Sequence, residues 1–239
     1  MPPRRHCQGD TMARSRDALT HDRVLQAALA LADSEGLEAL SMRRLGTELG
    51  VEAMSLYRHV PNKEALLDAM VDAIVHDWID DEAVPAADWR GRIAAIMHRA
   101  HATLLARPWA IELVTVRPRV GDGRLRYAEA ITTALLEAGF TPQLAHHGLH
   151  IVDGTVMGFT AQQARRPSAA ALGDRVHALY NGDLTADYPG ISVTIREHHD
   201  HAEEYSLMVD LVIDGLARLR DGLLPPRTGS GASYVLSLA

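Results

Sequence analysis

Cysteine is nearly absent from this 239-residue chain, where Cys7 stands alone. One thiol closes no intrachain disulfide and builds no cysteine-based zinc centre, so packing has to hold the fold. Lysine is equally scarce, with Lys63 alone against 23 arginines. Together with the richness in alanine, this reads as a coding preference rather than as chemistry. No apolar run approaches the roughly 18 residues that cross a bilayer. Residues 1–19 carry four arginines but no apolar stretch, so no secretory signal is read there. A cytoplasmic protein without a membrane partner is the expectation. Alternating strand patterns are scarce as well. Neither a nucleophile elbow of the form G-x-S-x-G nor a phosphate-cradling glycine loop occurs, so no enzyme is expected.

What is present is apolar and helical. With 47% hydrophobic residues the chain can bury a sizeable core. The net charge of -7 excludes a uniformly basic nucleic-acid coat. The charge is uneven, however: residues 1–63 hold nine basic and eight acidic side chains, so the first quarter is best able to approach a polyanion.

Caps and 3.6-residue stripes predict the elements. Thr20 caps a first helix whose stripe is Val24, Ala27, Ala28 and Leu31, and Gly36 ends it. Ser41 caps a short second helix, Gly50 breaks it, and a third runs over Glu52–His59. Asn62 caps a long fourth helix that buries Leu66, Leu67, Met70, Val71, Ile74, Val75 and Trp78. Further helices are expected from Ile93 to before Pro108, over Trp109–Val116, Leu125–Ala138, Thr141–Arg165 and Ala169–Tyr180. A loop over Asn181–Ser192 precedes a last long helix, where Asp200 and Glu203 have capping-box spacing.

Residues 41–60, SMRRLGTELGVEAMSLYRHV, have the form of a helix-turn-helix. Leu45, Leu49, Val51 and Leu56 face inward, Gly50 supplies the turn, and Ala53, Met54, Ser55, Tyr57 and Arg58 face out. Small, mixed side chains of this kind suit a major groove. Ser41, Arg43 and Arg44 open the first short helix, from which the two arginines can reach a base edge or phosphate. Lys63 stands at a helix start that can take a phosphate.

The stretch LTHDRVLQAALALADSEGLEALSMRRLGTELGVEAMSLYRHVPNKEALLDAM resembles the amino-terminal domain of the TetR family of transcriptional regulators. The segment GVEAMSLYRHVPNKEALLDAM carries the most specific part of the match. The helical remainder is similar, more loosely, to the tetracycline-repressor-like subgroup. The resemblance implies an all-α fold with a flexible arm over 1–19 and a helix-turn-helix domain over 20–65. A ligand-binding and dimerisation domain follows over 66–222, then a flexible tail over 223–239. It further implies a regulator, usually a repressor, that binds a near-palindromic DNA operator as a homodimer and is released by a small-molecule inducer.

By position, Arg43 would contact a base, and Ala53, Met54 and Ser55 would touch bases and thymine methyls. Tyr57 and His59 would hold phosphates, and Lys63 would anchor the backbone. Met42, Ala53 and Met54 stand where the family often has polar residues, so an operator sequence does not transfer. Arg58 stands at an often aromatic position.

Candidate walls of the ligand pocket are His101, Leu104, Trp109, Leu113, Tyr127, His150, Asp153, Met157 and Phe159. The tetracycline repressor has a magnesium-ligating histidine four residues before an Arg-Pro pair. Aligning Arg117-Pro118 with that pair puts Leu113 in its place, which points to an inducer bound without metal and to no cofactor. Gly154, Gly158 and Ala161, with the many-sided apolar last helix, mark the expected dimer helices. The alternative is a helical small-molecule or metal-binding protein without sequence-specific DNA binding. It rests on the pair His146/His150 and the group His198, His199 and His201, with Asp153 as a third ligand.

Overall fold

The computed structural model describes residues 18–79, 88–117, 120–165, 173–195 and 200–223. Among the described residues every regular element is a helix. The chain divides into two units, Met1–Leu66 and Leu67–Ala239. Most of the expected arm and tail, residues 1–17 and 224–239, lies outside the described residues.

The first unit is built on local signals. Helix α1, His21–Glu35, starts where the Thr20 hydroxyl accepts from the Arg23 amide at 3.2 Å, and it ends at Gly36 with φ +84°. A single 3-10 turn, Leu37–Ala39, leads to α2, Met42–Leu49, where the Ser41 hydroxyl accepts from the Arg44 amide at 3.1 Å. Gly50 turns the chain in the left-handed region, φ +68°, which a side chain rarely adopts. Helix α3 is short, Ala53–Leu56, one turn less than expected over Glu52–His59. The chain has already turned at 57–59 so that Val60 is buried, and Pro61 holds Val60 out of helical geometry. Val24, Ala28, Leu45 and Leu56 are wholly buried, and α1 packs on α2 and α2 on α3. Burying each leucine contributes about 1.5–3 kcal/mol.

Helix α4, Lys63–His76, begins where Asn62 Oδ1 accepts from the Ala65 amide at 2.8 Å, and the two units part near its start. The second unit continues with α5 (Trp89–Ala106), α6 (Pro108–Val116), α7 (Asp122–Glu137) and α8 (Pro142–Ala164). It closes with α9 (Asp174–Asn181), α10 (Pro189–Thr194) and α11 (His201–Arg220). The 23-residue α8 is central, packing on α5, α6, α7 and α11. Gly148 makes that packing close, since a Cβ there would lie 2.6 Å from Leu135 Cδ1. Ile93, Met97, Leu104, Ile131, Val152 and Val156 fill the centre, and the Tyr205 hydroxyl donates to the Met97 carbonyl at 2.7 Å.

Two sequence expectations shift here. Helix α7 starts at Asp122 rather than Leu125, because its cap comes from another helix: Asp72 Oδ1 on α4 accepts from the Arg124 amide at 3.2 Å. Helix α10 forms across the end of the expected loop, running two residues past Ser192. Pro189 sits in its first turn, where a missing N–H costs nothing, and Ser192 is buried.

Candidate nucleic-acid interface and ligand cavity

The helix-turn-helix owes its angle to two glycines. A Cβ on Gly46 would lie 2.9 Å from the Val51 carbonyl oxygen and 3.2 Å from the Ala53 nitrogen, so α2 and the start of α3 touch backbone to backbone. The Val51 amide donates to the Gly46 carbonyl at 2.9 Å, and Gly50 supplies the left-handed residue between the helices. Gly46 carries a constraint that the spacing argument assigned to Gly50 alone.

On this frame Met54 is 72% exposed and Tyr57 41%, with Arg58, Arg43 and Lys63 exposed around them. Ala53, Ser55 and His59 are half-buried. Exposed thioether, guanidinium and phenol groups within one short segment suit a thymine methyl, a base edge and phosphates.

Two of the expected contact residues are occupied otherwise. The Ser41 hydroxyl caps α2. The Arg44 guanidinium spans Glu35 Oε1 at 2.5 Å and Glu48 Oε2 at 3.1 Å, tying the end of α1 to α2. The bond from Arg44 holds the Glu35 carboxyl below its usual range. Arg44 therefore serves the frame, whereas Arg43, one residue away, is exposed.

The second unit contains a cavity of about 390 Å³. Val75 and Trp78 come to it from α4 and the residues just after, Val114 and Thr115 from α6, and Arg124, Tyr127 and Ala128 from α7. Helix α8 adds Leu149, Asp153, Gly154 and Met157, a single stripe at the helical spacing i, i+4, i+5, i+8. The Tyr127 hydroxyl donates to Asp153 Oδ1 at 2.7 Å, and the Tyr127 ring meets Trp78 edge to face at 5.5 Å. Burial raises the Asp153 pKa against the opposing pulls of the Tyr127 bond, His150 and Arg124. Burial and then the Asp153 charge push the Tyr127 phenol well up. Burial lowers the Arg124 pKa, opposed by Asp153, Asp72 and Asp68.

Of the nine expected wall residues, Tyr127, Asp153 and Met157 line this cavity. His101 and Leu104 are core on α5; the His101 ring stacks on Tyr205 with centroids 3.6 Å apart, and its Nδ1 lies 2.8 Å from the Thr160 hydroxyl. Phe159 joins that stack, 5.4 Å from Tyr205, because two residues past Met157 the helix has turned to its opposite side. Leu113 is buried beside the cavity residue Val114, and Trp109 is half-buried outside the wall. His150 is exposed, its ring 4.6 Å from His146.

Among the residues missed are Val75, Trp78 and Val114, which periodicity counts as core, together with Arg124. The available signal for Arg124 was its place at i, i+3, i+4 with Tyr127 and Ala128 on an otherwise apolar stripe.

Two helices keep an uncovered face. On α8, His147, Ile151, Gly154 and Gly158 are exposed; on α11, Leu207 and Leu211 are 59% and 65% exposed. A Cβ on Gly154, Gly158 or Gly215 would meet nothing. Among the described residues no group of three His, Cys, Asp or Glu side chains is placed to hold a metal ion, and His198 and His199 lie outside them. No described helix is long and apolar enough to cross a membrane.

Comparison with known proteins assigns both units. Residues 24–70 match the family described as bacterial regulatory proteins, tetR family, and residues 83–220 the tetracyclin repressor-like C-terminal domain. The HTH-type transcriptional repressor DrrR1 of Streptomyces coeruleorubidus is 34% identical over 86% of this chain and 77% of that protein. A class A tetracycline repressor of Escherichia coli is 32% identical over 82% of this chain and 90% of that protein. The crystal structure of ActR from Streptomyces coelicolor in complex with actinorhodin superposes with a TM-score of 0.72 at 26% identity, over 84% of this chain and 97% of that one.

Proposed function

The chain belongs to the TetR family, with a tetracycline-repressor-like C-terminal domain, and we propose that it is a cytoplasmic homodimeric repressor that an organic effector releases from an inverted-repeat operator. It is a DNA-binding transcriptional regulator of ligand-responsive type. One observation carries the reading of its interface: Met54 on α3, and Tyr57 and Arg58 in the turn just after it, stand exposed on a segment whose angle is set by the backbone contact at Gly46. On this reading Arg43 and the start of α3 meet base edges, while Tyr57, His59 and Lys63 hold phosphates.

The uncovered faces of α8 and α11 join two copies in a four-helix contact, where Gly154, Gly158 and Gly215 leave room for close approach. Two recognition helices then lie about 34–36 Å apart, one turn of duplex. The effector occupies the cavity lined by Trp78, Arg124 and Tyr127. Its route to α4 is short. Arg117 Nε lies 2.6 Å from Asp68, Asp72 caps α7, and Gly123 sits where a Cβ would meet the Asp72 carbonyl. An occupant that moves the α6–α7 connection therefore moves α4. Taking the population from 99:1 bound-competent to the reverse needs about 5.5 kcal/mol of preference between the two states.

Selection from randomised duplex DNA with the purified protein tests the interface. Enrichment of an inverted repeat is expected. Arg43→Ala should cost about 1–3 kcal/mol of affinity and relax preference at one position in each half-site. Unchanged specificity in that variant removes Arg43 from the interface; no enrichment at low salt removes the operator reading.

A further inference from the structure

Four buried side-chain polar atoms lack a partner among the described residues, and two of them belong to residues that line the cavity. Trp78 Nε1 and Arg124 Nε are both buried without a hydrogen bond. Both are donors only, since an indole N–H and a guanidinium N–H have no lone pair to offer. Arg124 Nη2 donates to the Val114 carbonyl at 2.5 Å. The carboxylate of the wall, Asp153, already accepts from Tyr127 at 2.7 Å, with the Arg124 charge near it. Val75, Val114, Leu149 and Met157 supply apolar surface, and Trp78 and Tyr127 present aromatic rings. At about 390 Å³ the space lies within the roughly 300–1,000 Å³ of small-molecule sites. The cavity thus has apolar walls, a carboxylate already paired with Tyr127, and two lining residues that each bury an unpartnered donor.

We infer that the effector is a mainly apolar, ring-bearing molecule whose hydrogen-bond-accepting oxygens, carbonyl or carboxylate, meet Trp78 and Arg124. This deepens the reading of the cavity as the effector site and rests on it. The specificity follows from the asymmetry of buried hydrogen bonding. A ligand with an oxygen at those atoms completes both donors, whereas a hydrocarbon of the same shape leaves them buried and unpaired. An ammonium group in that position meets the Arg124 guanidinium and the Trp78 N–H, neither of which accepts a hydrogen bond.

The test uses the full chain without DNA and four naphthalene probes of matched size: methyl naphthyl ketone, naphthoate, isopropenylnaphthalene and naphthylmethylammonium. Calorimetry gives each affinity, and the indole N–H proton resonance of Trp78, identified by its loss in Trp78→Phe, reports the hydrogen bond. The ketone and naphthoate should bind about fivefold or more tightly than the isopropenyl isostere, and the ammonium more weakly than either. The Trp78 resonance should shift downfield with the ketone and stay in place with the isostere. Trp78→Phe keeps a ring in the wall and should shrink the preference for the ketone; Arg124→Met should shrink the preference for naphthoate.

Equal affinities for all four probes, or a preference for the ammonium, would overturn the inference, as would no binding by any of them. The DNA selection is read separately, so an operator found there leaves the regulator reading standing when the probes fail. Probe binding without DNA enrichment fails the opposite half.

Discussion

The two units solve opposite problems with the same material. The helix-turn-helix unit keeps its proposed contact side chains in water and spends its burial on a frame: Leu45 and Leu56 inside, Met54 and Tyr57 outside, Arg44 tied down by Glu35 and Glu48. The effector unit partly or wholly buries Trp78, Arg124, Tyr127 and Asp153 and leaves room beside them. Its polar groups are positioned by partners far away in sequence, as when Asp72 caps α7 or Tyr127 reaches Asp153. A surface that reads a rigid duplex needs a fixed angle and free side chains. A site that encloses a small molecule needs unsatisfied polar atoms and a wall able to move.

Both frames hang on glycines, and replacing these gives the largest expected effects. Gly123→Ala places a Cβ 2.1 Å from the Asp72 carbonyl oxygen, a backbone atom that cannot rotate away. A cost of about 3 kcal/mol or more is expected, visible as a lowered unfolding midpoint with the effector unit loosened. Gly46→Ala is milder, with a closest approach of 2.9 Å to the Val51 carbonyl, and should cost about 1–3 kcal/mol. Its signature is selective: operator affinity falls while binding of naphthyl ketone is kept. If Gly46→Ala lowers both alike, Gly46 supports the whole chain rather than the helix-turn-helix alone.

Asp72→Ala removes a cap that one helix lends another, and should cost about 0.5–2 kcal/mol of stability. Amide exchange at the first turn of α7 should quicken, with the amides of α2 unaffected.

The smallest effect is the dependence on pH. Burial raises the Asp153 pKa in the folded chain above its ordinary 3.8. The folded state therefore holds the proton more tightly than the unfolded one. Stability contributed by this group is full below the ordinary value, falls as pH rises to the elevated one, and is level beyond. Thermal midpoints across that window should decline in the parent chain and flatten in Asp153→Asn. A parallel decline in both would assign the slope to other groups.

How much of this was legible in the sequence varies by element. The caps at Thr20, Ser41, Asn62, Thr141 and Asp200 were readable because each acts on amides within three residues of itself. Helical periodicity does not say whether a buried residue meets a side chain or a space. Leu104 and Met157 look alike in sequence; one fills the core and the other lines the cavity. Arg43 and Arg44 are also indistinguishable by type, and only the placement of Glu35 and Glu48 separates the paired one from the exposed one.

The sequence by itself determined the helical class, the turn at Gly50 and the family's recognition segment, because these depend on residues near one another along the chain. Tertiary structure alone decided where α7 begins, which arginine is held in the frame, and which two residues of the cavity wall bury a donor without a partner. Those outcomes depend on groups brought together from positions up to about 80 residues apart, such as Trp78 and Met157. A local pattern encodes how strongly each face seeks burial and carries no record of what the burial is against.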